Sequence, residues 1–393
     1  MKKFLIFSIF TFFFVLIGIN FIGKMAYNKK DINILSKIIG KEVLAGDDKV
    51  SINGINISST KPGSFPGDFK ANKEDYIRWF KDIEELNLNC LRVQGLMNKD
   101  FYEALYEFNL NNKKPLYLLQ GISLNEVAID DGEDIQGEKV SDEFKKNIKT
   151  TIDAIHGNKI PSLSSNSKKI YETNISQYVI GYTIGNELAY DDVIYSEIMN
   201  DLPEFNGEYI QSKIGASDTE KYLSYLADYL VEYESKNYKE QRIISFVSVE
   251  DDIMKFVRDG YVNKKNKEKR FIDIENIKKT EKFKSGIMAS YNISILKNDS
   301  LINNDILHKY FTELNKYHSV PVLISEYSVP SGRMAGEFIK SDENGYITEK
   351  EQGNMLIETY KAIKESGCVG GILFEWQDSW YRSSWNTKEL FIL

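Results

Sequence analysis

The sequence predicts a parallel α/β barrel of the (β/α)8, or TIM barrel, class. Eight apolar runs of strand length follow one another, segments of helical periodicity lie between them, and no G-x-G-x-x-G or G-x-x-x-x-G-K-[ST] loop follows the first run. Nearly continuous apolar strands alternating with helices read as a parallel sheet with helices packed on it. An open doubly wound sheet would carry a glycine-rich phosphate loop after its first strand, so closure into a barrel fits better.

In order, the strands are VSINGINI (50–57), LNCLRVQG (88–95), PLYLLQGI (115–122), YVIGYTIG (178–185), RIISFVSV (242–249), GIMASYNI (286–293), PVLISEYS (321–328) and VGGILFEW (369–376). Between the first two, KEDYIRWFKDIEELN (73–87) repeats Tyr76, Ile77, Phe80, Ile83 and Leu86 at helical spacing. FYEALYEFNL, KYLSYLADYLVEYES, ILHKYFTELNKYH and NMLIETYKAIKES behave in the same way. The long connections 57–72, 123–142, 188–217 and 249–284 follow strands, the side on which a barrel builds its catalytic face. HGNKIPSLSSNSKKI (156–170) precedes the fourth strand and reads as a polar insertion.

Ahead of the barrel, two lysines precede an apolar run from Phe4 to about Gly23. That length is close to the roughly 20 residues a spanning helix needs, and no A-x-A signal follows it, which favours an uncleaved anchor over a cleaved signal. Residues 1–30 are thus expected to be a signal peptide or membrane anchor, 31–48 a polar juxtamembrane linker and 49–393 the barrel. Lysines on both sides of the run leave its orientation open. The large C-terminal part is expected to be extracytoplasmic, anchored to the membrane or secreted.

The chain carries a formal charge of −8; residues 1–30 hold five lysines and no acid, so the remainder has 45 basic and 58 acidic residues, a net −13. Such a surface is a poor partner for nucleic acid. The two cysteines, Cys90 and Cys368, sit in apolar runs and read as small core residues.

Serine-hydrolase chemistry would need a G-x-S-x-G elbow and a histidine base, and the elbow is missing. His156, His308 and His318 lie at or near helices, where surface roles are expected, and no H-E-x-x-H or C-x-x-C occurs. No metal and no other cofactor is expected. Carboxylates at strand ends remain: Glu187 ends the fourth strand and Glu326 the seventh, while Glu375 and Trp376 end the eighth. The C-terminal ends of barrel strands converge on one mouth, where two acids can act as proton donor and nucleophile on a glycosidic bond. If Trp376 faces the axis, strand alternation turns Glu375 away from it.

Asn-Glu at the end of strand four, Glu at the end of strand seven and Trp at the end of strand eight resemble the retaining (β/α)8 glycoside hydrolases of clan A, the 4/7 superfamily. FPGDFKANKEDYIRWFKDIEELNLNCLRV also resembles the first βαβ unit of such domains, and the likeness covers about residues 50–380. The resemblance implies Glu187 as general acid/base and Glu326 as nucleophile. It further implies Asn186 on the sugar 2-hydroxyl, Arg92 and Tyr291 beside Glu326, and Trp376 under the sugar ring. Gln120, at the end of strand three, is a further candidate for the substrate site.

Only 17 residues follow Trp376, and they contain no recognisable final helix, in contrast to such relatives. An uncovered flank between the first and last strands would expose apolar surface, which DINILSKIIGKEVLA (31–45) is a candidate to cover. The expected function is a retaining β-glycosidase or transglycosylase acting on an oligo- or polysaccharide. Its alternative is a non-catalytic glycan-binding or envelope-assembly protein with a shortened barrel.

Overall fold

The structure, a computed structural model, describes residues 31–123, 134–161, 170–186, 188, 190–249, 272–294, 304–329 and 348–378. All eight expected strands are present. They are β5 (Ile52–Asn56), β6 (Cys90–Val93), β7 (Tyr117–Gly121), β8 (Val179–Ile184), β11 (Ile243–Val249), β13 (Ile287–Ser294), β14 (Val322–Ser328) and β15 (Gly370–Leu373). Paired in this order and all parallel, they close into a barrel when β15 meets β5. Closure demands glycine at 370, where a Cβ would lie 1.7 Å from the Ile52 carbonyl oxygen.

Helix α1 (Lys73–Glu85) starts where Asn72 accepts from the Asp75 amide and Asp75 caps back onto Asn72, a reciprocal capping box. It buries Tyr76, Phe80 and Ile83 against the barrel and against α2 (Lys99–Asn111), whose Phe101 ring meets Tyr76 edge-on. Next come α3 (Glu138–Ile155), α4 (Tyr190–Met199), α5 (Asp218–Asn237), α6 (Asn304–Tyr317) and α7 (Glu349–Glu365). Neither α3 nor α4 is among the helices that the sequence periodicity predicts.

Residues 31–48, expected to be a linker, form β structure. β1 (Asn33–Ile34) pairs with β10 (Glu240–Gln241), while β2 (Ser36–Ile39), β3 (Glu42–Ala45) and β4 (Asp48–Val50) make an antiparallel meander; elsewhere β9 (Ile210–Ser212) pairs antiparallel with β12 (Ile277–Lys279). This meander sits under the N-terminal ends of the strands: Ser36 Oγ donates to the Ile180 carbonyl at 2.5 Å and accepts from the Ile243 amide at 3.0 Å. Val43 joins Ile52, Leu119, Ile180, Ile243, Met288 and Leu323 in an apolar cluster inside the barrel. The segment is therefore a floor, not a flank cover. At the seam between first and last strands, α7 reaches across, and the Tyr360 hydroxyl donates to Asn53 Oδ1 at 2.6 Å.

Both cysteines are buried and free, and burial pushes the Cys90 thiol up to about 12 and the Cys368 thiol up to about 11. Among the described residues no helix is long and apolar enough to cross a membrane; the apolar run 4–23 and residues 379–393 lie outside them.

Candidate active site

Arg92 organises the C-terminal mouth of the barrel. Its side chain, on β6, is fully buried, and its guanidinium reaches three neighbours: Nη1 donates to Asn56 Oδ1 at 2.6 Å and to Glu326 Oε1 at 2.5 Å, and Nη2 donates to Asn186 Oδ1 at 2.7 Å. A planar fork of fixed donors suits this task. Asn56, ending β5, spends its own amide on the carbonyls of Ser325 and Leu373 at 3.2 and 3.0 Å.

Glu326 reaches the mouth through a bulge. Against β13, Tyr291 pairs with Ile324 and Asn292 with Glu326; against β15, Ile324 pairs with Gly371 and Tyr327 with Leu373. The extra residue turns consecutive side chains inward, so that Ser325 Oγ meets Asn292 Oδ1 at 2.8 Å while Glu326 meets Arg92. With 17% of its side chain exposed, Glu326 keeps access to a ligand while remaining paired.

Asn186 arrives by a turn. Gly185 has φ 81°, in the left-handed region where glycine carries no penalty, and the chain leaves β8 so that Asn186 lies buried over Arg92, its amide donating to the Gln94 carbonyl at 3.3 Å. The next residue, Glu187, lies outside the described residues.

Gln120 and Tyr291 are placed away from the positions expected of them. Gln120 is fully buried beneath the mouth: its amide donates to the Gly95 and Gly121 carbonyls, and its oxygen accepts from the Tyr102 hydroxyl at 2.9 Å. Tyr291 faces the helix layer, because Ser290 and Asn292 on either side of it point inward; its hydroxyl meets His318 Nε2 at 2.7 Å. Trp376 is half-buried against the core, with its amide donating to the Asn56 carbonyl at 2.9 Å. Glu375, expected to turn away, lines the cleft beside Phe374; the peptide between these two is cis.

The cleft has a volume of about 200 Å³ and opens beside Arg92 between the strand-end loops of β5, β6 and β15. A carboxylate held by a buried guanidinium at such a mouth has the chemistry to act as a nucleophile or to pair with a polar ligand. The barrel is similar to that of a glycoside hydrolase. A GH2 β-galacturonidase from Eisenbergiella tayi, bound to galacturonate, aligns at a TM-score of 0.52 and 15% identity over 90% of this chain and 49% of its own. A Ruminococcus gnavus β-glucuronidase aligns at 0.49 and 12%, over 88% and 48%; Bacteroides uniformis β-glucuronidase 2 aligns at 0.48 and 10%, over 86% and 32%. The chain thus spans about half the length of the first of these. No family model and no curated protein matches it.

Two of the three histidines have enclosed side chains rather than surface ones. The His318 side chain is enclosed between Tyr291 and Glu275, and that of His156 lies 3.1 Å from Glu234 and stacks on Tyr238 at 3.8 Å. His156, Glu234 and Glu240 bring their ligand atoms within 4.8 Å of one another, a spacing that could hold a cation. The Arg242 guanidinium already occupies that position, 2.7 Å from Glu234 and 2.6 Å from Glu240. Asn56 is the site residue that sequence reasoning missed, although it ends the first strand just as Asn186 follows the fourth.

Proposed function

We propose that the chain is a retaining β-glycosidase or transglycosylase of the clan A type, acting on an oligo- or polysaccharide through Glu187 and Glu326. The observation that supports it most is Glu326 at the barrel mouth, bonded to a buried Arg92 that also holds Asn186, the residue before Glu187. A glycoside-hydrolase-like barrel agrees with it.

In this reading Glu326 attacks the anomeric carbon as the glycosidic C–O bond breaks, and Glu187 gives its proton to the leaving oxygen. Glu187 then takes a proton from water or a second sugar, whose oxygen displaces Glu326. Arg92 pairs with the Glu326 carboxylate before the attack and again once the second step releases it, and Asn186 addresses the sugar 2-hydroxyl. The apolar run 4–23 would tether the domain outside the cytoplasm.

A 2-deoxy-2-fluoro-glycosyl probe should add its glycosyl mass to Glu326, located by peptide mapping. Glu326→Gln should lower turnover by at least ~1,000-fold while saccharide still binds. A protein that binds saccharide, takes no label and is indifferent to Glu326→Gln would be a glycan-binding protein instead.

A further inference from the structure

The loop from β5 into α1 holds a residue that the two-carboxylate chemistry leaves unused. Phe69 sits at φ 47°, ψ 49°, in the left-handed region that a bulky side chain rarely adopts. The other non-glycine residues at positive φ among the described residues are Asn87, Lys159 and Lys239, all polar. Phe69 alone of the four is aromatic, and it lines the cleft beside the Arg92 cluster.

Its backbone is held there by a brace on each side. The Phe65 amide donates to Asp68 Oδ2 and the Asp68 amide to the Phe65 carbonyl, both at 3.0 Å. The Ala71 amide then donates to the Ser59 carbonyl at 3.1 Å, and Asn98 Nδ2 to the Ala71 carbonyl at 3.0 Å. An unfavourable backbone angle imposed by its surroundings at the edge of a cleft points to use. Ser58, Ser59 and Glu375 line the same cleft, and Asn56 and Arg92 connect it to Glu326. An aromatic side chain together with hydroxyls and a carboxylate suits a pyranose ring, which has apolar C–H faces and a polar rim.

We propose that Phe69 is a sugar-stacking residue of a second subsite, which takes the sugar unit on the non-reducing side of the one attacked by Glu326. The inference rests on the glycosidase reading above and narrows its substrate to chains of two or more sugars. The test compares 4-nitrophenyl β-glycosides carrying one and two sugar units, across wild type, Phe69→Gly and Phe69→Trp. Glycine removes the ring and accepts the backbone angle, so folding is retained; tryptophan supplies a larger ring.

The ratio of kcat/KM for the two-unit substrate to that for the one-unit substrate should fall roughly three- to tenfold in Phe69→Gly and return in Phe69→Trp. An unchanged ratio, or an equal loss on both substrates, overturns the subsite and leaves the glycosidase reading standing. Wild-type protein that cleaves neither substrate overturns both.

Discussion

At the scale of single residues, the three hydrogen bonds of the Arg92 guanidinium decide where Glu326 and Asn186 stand. A lysine ammonium keeps the charge and loses the planar fork, so it cannot hold Asn56, Asn186 and Glu326 in the same geometry. Arg92→Lys should therefore cost about 2 kcal/mol in urea denaturation and lower turnover, since a charge-assisted bond inside the barrel is left unmade. Equal stability and activity in the variant would show that the cluster does not position Glu326. Arg92 was legible through the resemblance to clan A hydrolases, which implied it beside Glu326. Asn56 follows the strand-end logic that marks Glu326, but its polarity in INGIN resembles that of Asn53 three residues earlier, and the partners that tell them apart belong to distant segments.

At the scale of elements, the β14 bulge turns Glu326 to the lumen. It is invisible in VLISEYS because a bulge is a count of two residues against one on a neighbouring strand. The same limit accounts for Tyr291, whose ring belongs to the contact between β13 and α6. There, His318 Nε2 meets the Tyr291 hydroxyl, while Nδ1 lies 3.2 Å from Glu275, which also accepts from the Ser319 amide at 2.8 Å. Burial alone would raise the Glu275 carboxyl; the bonds from His318 and Ser319 outweigh it and hold the group down at about 2, against an ordinary 4.5.

A folded value below the unfolded one means that the stabilisation is complete above about pH 4.5 and is lost as the pH falls toward about 2. Glu275→Gln should accordingly flatten the stability profile across that acid window, read as melting temperature against pH. Parallel profiles for the variant and wild type would remove Glu275 as the source.

At the scale of the molecule, the barrel is sealed from below by the β2–β4 meander. Ser36 is wholly buried and satisfies both the Ile180 carbonyl and the Ile243 amide, so Ser36→Ala orphans two backbone groups at once. A loss of about 2 kcal/mol in urea denaturation is expected, with the denaturant slope unchanged. A loss below ~0.5 kcal/mol would show that the meander is not a structural part of the barrel.

The resemblance to clan A hydrolases implied Arg92 and Asn186 beside Glu326; what the sequence determined by itself is the number, order and parallel sense of the strands, with Glu326 at the C-terminal end of the seventh. Those features follow from local periodicity and from the rule that strand ends converge, which each segment carries in its own residues. Only the tertiary structure decided that residues 31–48 are the floor, that Gln120 and Tyr291 are internal braces, and that Glu375 and Phe69 border the cleft. The reason is physical: a short polar β-segment such as SKII has no period that sets it apart from a linker. Its burial exists only because the barrel leaves an apolar opening of its own size to cover.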